Sequence, residues 1–137
     1  MKRSQAAIGL VATIALGLAS RRVHLGVHVW DKSLGDALYT VMLYFLAGLV
    51  SPRWRRRPLA LGAIAVGASI AIEVFQLTGI PMRLPRLLQL ALGTAFAWHD
   101  VACYVLGGGA AVLVHVLVRR RAQDRARGEV GGSRPHV

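Results

Sequence analysis

From Leu59 to Ile80 the chain reads LALGAIAVGASIAIEVFQLTGI, 22 residues with one charged side chain, Glu73. As a helix rising ~1.5 Å per residue, such a run crosses ~30 Å of hydrocarbon. Three further runs share its character: AAIGLVATIALGLAS (6–20), LGDALYTVMLYFLAGLV (34–50) and VACYVLGGGAAVLVHVLV (101–118). In lipid every backbone N–H and C=O must be satisfied inside the segment, so runs of this kind fold as helices. The fold class expected is all-α: a polytopic helical membrane protein with four transmembrane helices and one short re-entrant or interfacial helix. A composition 55% hydrophobic agrees with a chain whose solvent is largely the bilayer.

The charges fix the expected orientation. The chain carries 17 Lys+Arg against 6 Asp+Glu, a net charge of +11, which in a soluble domain would suggest nucleic acid. Here the basic residues flank the apolar runs, and no aromatic-interleaved basic face accompanies them, so no nucleic-acid partner is expected. Four spans with the N-terminus inside put 12 of the basic residues on the inner side and 5 on the outer, the bias of a protein with both termini cytoplasmic. Residues 1–118 then form the transmembrane domain and 119–137 a basic cytoplasmic tail that begins helical. The first run admits a rival reading as a cleaved signal peptide, with Gly17-Leu18-Ala19 as the cleavage site. A retained span is favoured, because Gly9, Thr13 and Gly17 recur every four residues as a stripe suited to close packing in lipid. Either way residue 21 onward emerges on the outer side.

At about 100° per residue, Asp36, Thr40, Leu43, Ala47 and Val50 share a face of the second span, leaving Met42, Phe45 and Leu46 towards lipid. In the third, Ala63, Gly67 and Ala71 form a small-residue ridge for a neighbour, and Gly62, Ser69, Glu73 and Gln76 line a second face aimed at protein. In the last, Asp100, Tyr104, Gly107 and Ala111 align, continuing to His115. Residues 87–98, LLQLALGTAFAW, are apolar but too short to cross, hence the re-entrant assignment; a fifth span there would also export the arginines of the tail. Prolines 81 and 85 interrupt the chain on the way to it.

Ionisable groups inside or beside membrane spans are expensive and mark functional sites by default. Under this topology Asp31, Asp36, Glu73 and Asp100 gather at the outer leaflet with Lys32, Gln76, Arg86, His99 and Tyr104. Glu73 is expected to pair with Arg86. Metal-ligand spacing is weak: His24 and His28 with Asp31 lack a second ligand pair, and His99 with Cys103 is a two-residue signal, so no metal and no cofactor are expected. No nucleophile motif or phosphate-cradling glycine loop is present. One cysteine forbids an intramolecular disulfide.

The stretches WDKSLGDALYTVMLYFLAGLV, EVFQL before a proline-containing connection, and LGTAFAWHDVACYVLGG resemble a bacterial family of small four-span membrane proteins of unknown function, over roughly residues 16–115. That family is similar in turn to the VanZ-like proteins, through an Asp-Lys near a span start, an intramembrane Glu-x-x-Gln, and an Arg then Asp before the last span. The resemblance makes Asp31, Lys32, Glu73, Gln76, Arg86 and Asp100 the shared positions. It implies a cell-envelope factor in the bacterial inner membrane that binds a lipid headgroup or lipid-linked, amphiphilic ligand. Two other readings stay open. One is an intramembrane hydrolase or transferase with Glu73 or Asp100 as catalytic acid/base; the other is an assembly protein, compatible with a homo-oligomer, whose ionic residues are structural.

Overall fold

A computed structural model describes residues 1–20, 28–92 and 96–131, with the side chains of 28–32, 90–91, 126 and 128–131 outside the description. Within these limits all regular structure is helical. Helices α1 (Arg3–Ser20), α2 (His28–Val50), α3 (Pro58–Gln76), α4 (Arg86–Leu92) and α5 (Trp98–Gly131) are joined in part by 3-10 turns at Trp54–Arg56 and Pro81–Arg83. Four of them, α1, α2, α3 and α5, are long and apolar enough to cross a membrane. Their outward faces carry exposed Val11, Leu16, Leu46, Leu59, Leu106 and Leu113. Water would tolerate so extensive an apolar surface poorly, and a bilayer covers it.

Local chemistry sets the boundaries. Pro58 occupies the first turn of α3, where its missing N–H costs nothing. The helix stops at Gln76, four residues before the end of the apolar run. Gly79 takes φ +69° and its N–H reaches the Gln76 carbonyl, while Thr78 Oγ1 caps the Phe75 carbonyl at 2.7 Å. A left-handed residue is a helix stop that glycine accepts without strain. Of the expected segment 87–98, the residues up to Leu92 are helical, 93–95 lie outside the described residues, and α5 begins at Trp98. Gln89 holds the turn ahead of α4, donating from Nε2 to the carbonyls of Met82 (3.0 Å) and Leu84 (2.7 Å).

Helix α2 is the hub. It packs against α1, α3 and α5, and α3 packs against α5. The Met1 amine lies 3.4 Å from the Arg55 carbonyl and 3.3 Å from His115 Nε2, and Arg119 donates to the Arg56 carbonyl at 3.1 Å. Ser33 Oγ meets His99 Nε2 at the opposite end. Successive long helices therefore run antiparallel, with the N-terminus and the later part of α5 at one end.

The core forms around Tyr44, Leu61, Ala65 and Ala111. Tyr44 is fully buried and its hydroxyl meets His115 Nδ1 at 2.6 Å. Thr40 and Ser69 join α2 to α3 through hydroxyls 3.0 Å apart. At Gly107 α5 comes so near α2 that a Cβ would strike the Ala37 backbone.

Several face assignments follow the periodicity, and others do not. The face Gly62, Ser69, Glu73 and Gln76 is buried, as is Asp100, Tyr104, Gly107, Ala111 and His115. The ridge Ala63, Gly67, Ala71 is instead exposed, because α2 and α5 both pack on the more polar face. In α2 the buried residues are Thr40, Tyr44 and Gly48, and Val50 is exposed; Phe45 leans on α1 at Gly9 rather than facing outward. A hydroxyl with a buried partner turns Tyr44 inward against the apolar periodicity. Thr13 of the α1 stripe is buried, whereas no atom of another described helix lies within 4 Å of where a methyl at Gly17 would stand.

Candidate functional site

The polar residues of three helices meet at the end of the bundle away from Met1. Glu73 comes from the last turn of α3, Tyr104 from the second turn of α5 and Asp36 from α2. Tyr104 has all three carboxylates, Glu73, Asp36 and Asp100, in its electrostatic surroundings. Asp100 lies in the first turn of α5, where the helix dipole favours a carboxylate.

Glu73 is 1% exposed, and both its oxygens accept hydrogen bonds. The Ala97 N–H donates to Oε1 at 2.7 Å and the Tyr104 hydroxyl to Oε2 at 2.8 Å. One turn on, Gln76 donates from Nε2 to the Leu92 carbonyl at 2.6 Å. The two side chains of Glu73-x-x-Gln76 thus grip the backbone on either side of residues 93–95. Backbone groups withdrawn from water must find partners in protein, and α3 supplies them to Leu92 and Ala97. Gln76 Oε1 is buried and meets no donor among the described residues.

The expected Glu73–Arg86 pair is not formed. Arg86 opens α4 with its side chain exposed, while Glu73 is sealed between α3, α5 and Ala97. The prolines do fold the chain back, but Pro85 initiates α4 and turns Arg86 outward; a phenol and a backbone amide serve Glu73 instead.

Asp36, His99 and Cys103 form a second grouping, with one ligand atom from each within 4.8 Å of the others. His99 Nδ1 lies 3.8 Å from Cys103 Sγ and 3.6 Å from Asp100 Oδ1, and its Nε2 lies 3.1 Å from Ser33 Oγ. Sequence spacing gave only the His99–Cys103 pair; the α2–α5 packing adds Asp36 and Ser33. Asp31 and Lys32 lie in the first turns of α2 with side chains outside the described residues, as do His24, Arg21 and Arg22 entirely.

Glu73 thus meets Tyr104, and His99 meets Asp100 and Asp36, while Gln76 lies one turn from Glu73 and Arg86 stands apart. Two participants escaped the sequence reading because they are backbone groups, Leu92 C=O and Ala97 N–H, which no residue pattern advertises. Ser33, a plain serine ahead of an apolar run, carried no signal either.

Residues 26–108 match the family model described as a protein of unknown function, DUF2809. The chain belongs to the DUF2809 family. The match runs from just before α2 through Gly108, so the DUF2809 region holds every site residue named above and excludes α1. No curated protein and no solved structure matches the chain.

Proposed function

We propose that this DUF2809 protein is a bacterial inner-membrane protein that binds a lipid headgroup, or a lipid-linked ligand, at the outer leaflet. The observation that carries the reading is the buried Glu73 of α3 bonded to Tyr104 of α5 at 2.8 Å, with Asp36 of α2 and Asp100 of α5 at the same end of the bundle. Acceptor-rich surroundings suit a headgroup bearing donors, such as an amine or sugar hydroxyls. The Lys/Arg bias, 12 against 5, supports both termini being cytoplasmic and the site facing outward. Residues 87–98 would then be a re-entrant segment, with Gln76 bonded to it at Leu92 and Glu73 at Ala97. Kinship with VanZ-like envelope factors rests on the Glu73-x-x-Gln76 and Arg86…Asp100 spacings.

The acid/base reading of Glu73 loses ground to this one. Its oxygens are engaged by Ala97 and Tyr104 and it is sealed from solvent, so it is badly placed to pass a proton to a substrate. Glu73 is a positioning residue here, and the reading assigns ligand contact to Asp36, which is half-buried, and to Asp100, which is 4% exposed beside the half-exposed His99.

Lipid identification by mass spectrometry after purification in native nanodiscs tests the proposal. One lipid class should be enriched over the surrounding membrane with the wild type and lose that enrichment in Asp100→Asn. A co-purified lipid profile equal to the bulk membrane would refute it.

A further inference from the structure

We propose that Asp36, His99 and Cys103 form a zinc site that ties α2 to α5 at the outer end of the bundle. The donor set is the first ground. Thiolate, imidazole and carboxylate together suit a borderline ion such as Zn(II) and not Mg(II) or Ca(II), which take oxygen alone. Geometry is the second. Bonds of ~2.3 Å to sulfur and ~2.0 Å to nitrogen at a tetrahedral angle set those atoms about 3.6 Å apart. His99 Nδ1 and Cys103 Sγ lie 3.8 Å apart, and all three donor atoms fall within 4.8 Å of one another. The spacing along α5 is the third: residues four apart stack on one face of a helix, and Asp36 approaches that face from α2.

The imidazole also has a neighbour in α2. His99 Nε2 and Ser33 Oγ lie 3.1 Å apart, and Cys103 Sγ lies 3.8 Å from Nδ1 and 3.9 Å from Nε2, so the imidazole must turn about its Cβ–Cγ bond to aim Nδ1 at an ion shared with the thiolate. Metal-binding histidines are ordinarily oriented by a hydrogen bond through the other ring nitrogen, here the one beside Ser33. Binding replaces the thiol proton, which is released to solvent, so one Zn(II) against one thiolate and one carboxylate gives a complex without net charge. Such a complex is better tolerated beside hydrocarbon than an unpaired carboxylate. His99 is half exposed at 49%, which gives the ion a way in and leaves a fourth position for water or a ligand group. The proposal stands on this donor set alone and does not require the headgroup reading.

The test is Co(II) titration of the full-length protein in detergent after treatment with a chelator, followed by displacement with Zn(II). One Co(II) per chain should bind, with a thiolate-to-cobalt absorption band that Cys103→Ser abolishes. Asp36→Asn and His99→Gln should each weaken binding by at least about tenfold. In the wild type, saturating Zn(II) should slow alkylation of Cys103 by iodoacetamide at least about tenfold. The alkylation measurement needs no variant and decides the matter if Cys103→Ser does not fold. Unchanged alkylation, or binding that survives all three substitutions and disappears in His24→Gln/His28→Gln, would overturn the proposal. Either result leaves the lipid measurement unaffected.

Discussion

The Tyr104 hydroxyl and Glu73 Oε2 lie 2.8 Å apart, joining α5 to α3 inside the bundle. Hydrogen bonds to a charged acceptor are about twice as strong as neutral ones, and a buried acceptor stripped of its donor bears a desolvation penalty. Tyr104→Phe should cost about 1–3 kcal/mol of stability in detergent, read as a lowered Tm. The double variant with Glu73→Gln should cost less than the two single losses added together, because they share one bond.

Arg86 supplies the contrast. With its side chain exposed on α4 and no bond to Glu73, Arg86→Gln should change stability by no more than about 0.5 kcal/mol. A thermal shift as large as that of Tyr104→Phe would restore the ion pair the sequence suggested.

Two glycines two residues apart should respond in opposite senses. A methyl at Gly107 meets the Ala37 backbone, which cannot swing aside as a side chain does, whereas nothing lies within 4 Å of a methyl at Gly109. Gly107→Ala should lose about 1–3 kcal/mol through overpacking. Gly109→Ala should hold or raise Tm, since alanine exceeds glycine in helix propensity by up to ~1 kcal/mol. Equal effects would mean that α2 and α5 do not approach at Ala37.

The Thr40–Ser69 bond bridges α2 and α3 at 3.0 Å within the spans. Interhelical hydrogen bonds in bilayers average only ~0.6 kcal/mol and reach ~1.7. Thr40→Val, which keeps the branched shape, should fall inside that range by chemical denaturation in detergent.

Periodicity made the buried faces of α3 and α5 legible, since Glu73, Gln76, Asp100 and Tyr104 each sit in register with small or polar neighbours. The partner of Glu73 was not legible. A sequence advertises charge, so Arg86 looked like the answer, whereas the actual donors are a phenol thirty-one positions along and an amide. Asp36 beside His99 and Cys103 was hidden for a related reason: it depends on the register of two helices far apart in the chain, set by contacts such as Gly107 on Ala37. The end of α3 lay in plain view as Thr78-Gly79, yet the continuing apolar residues to Ile80 masked it.

Orientation can be read directly. Arg125→Cys in a Cys103→Ser background should react with a membrane-impermeant maleimide only once cells are opened. Reaction in intact cells would place the later part of α5, and with it the Met1 end, outside.

Helix α1 rests chiefly on α2, by way of Gly9 and Phe45, and contributes nothing to the polar site. It precedes α2 in the chain and so is made before the helix it rests on. Helices α2, α3 and α5 make their contacts with one another directly. Coexpressed as two fragments divided between α1 and α2, the protein should thus reassemble, with α1 arriving last as a detachable stave on a finished barrel.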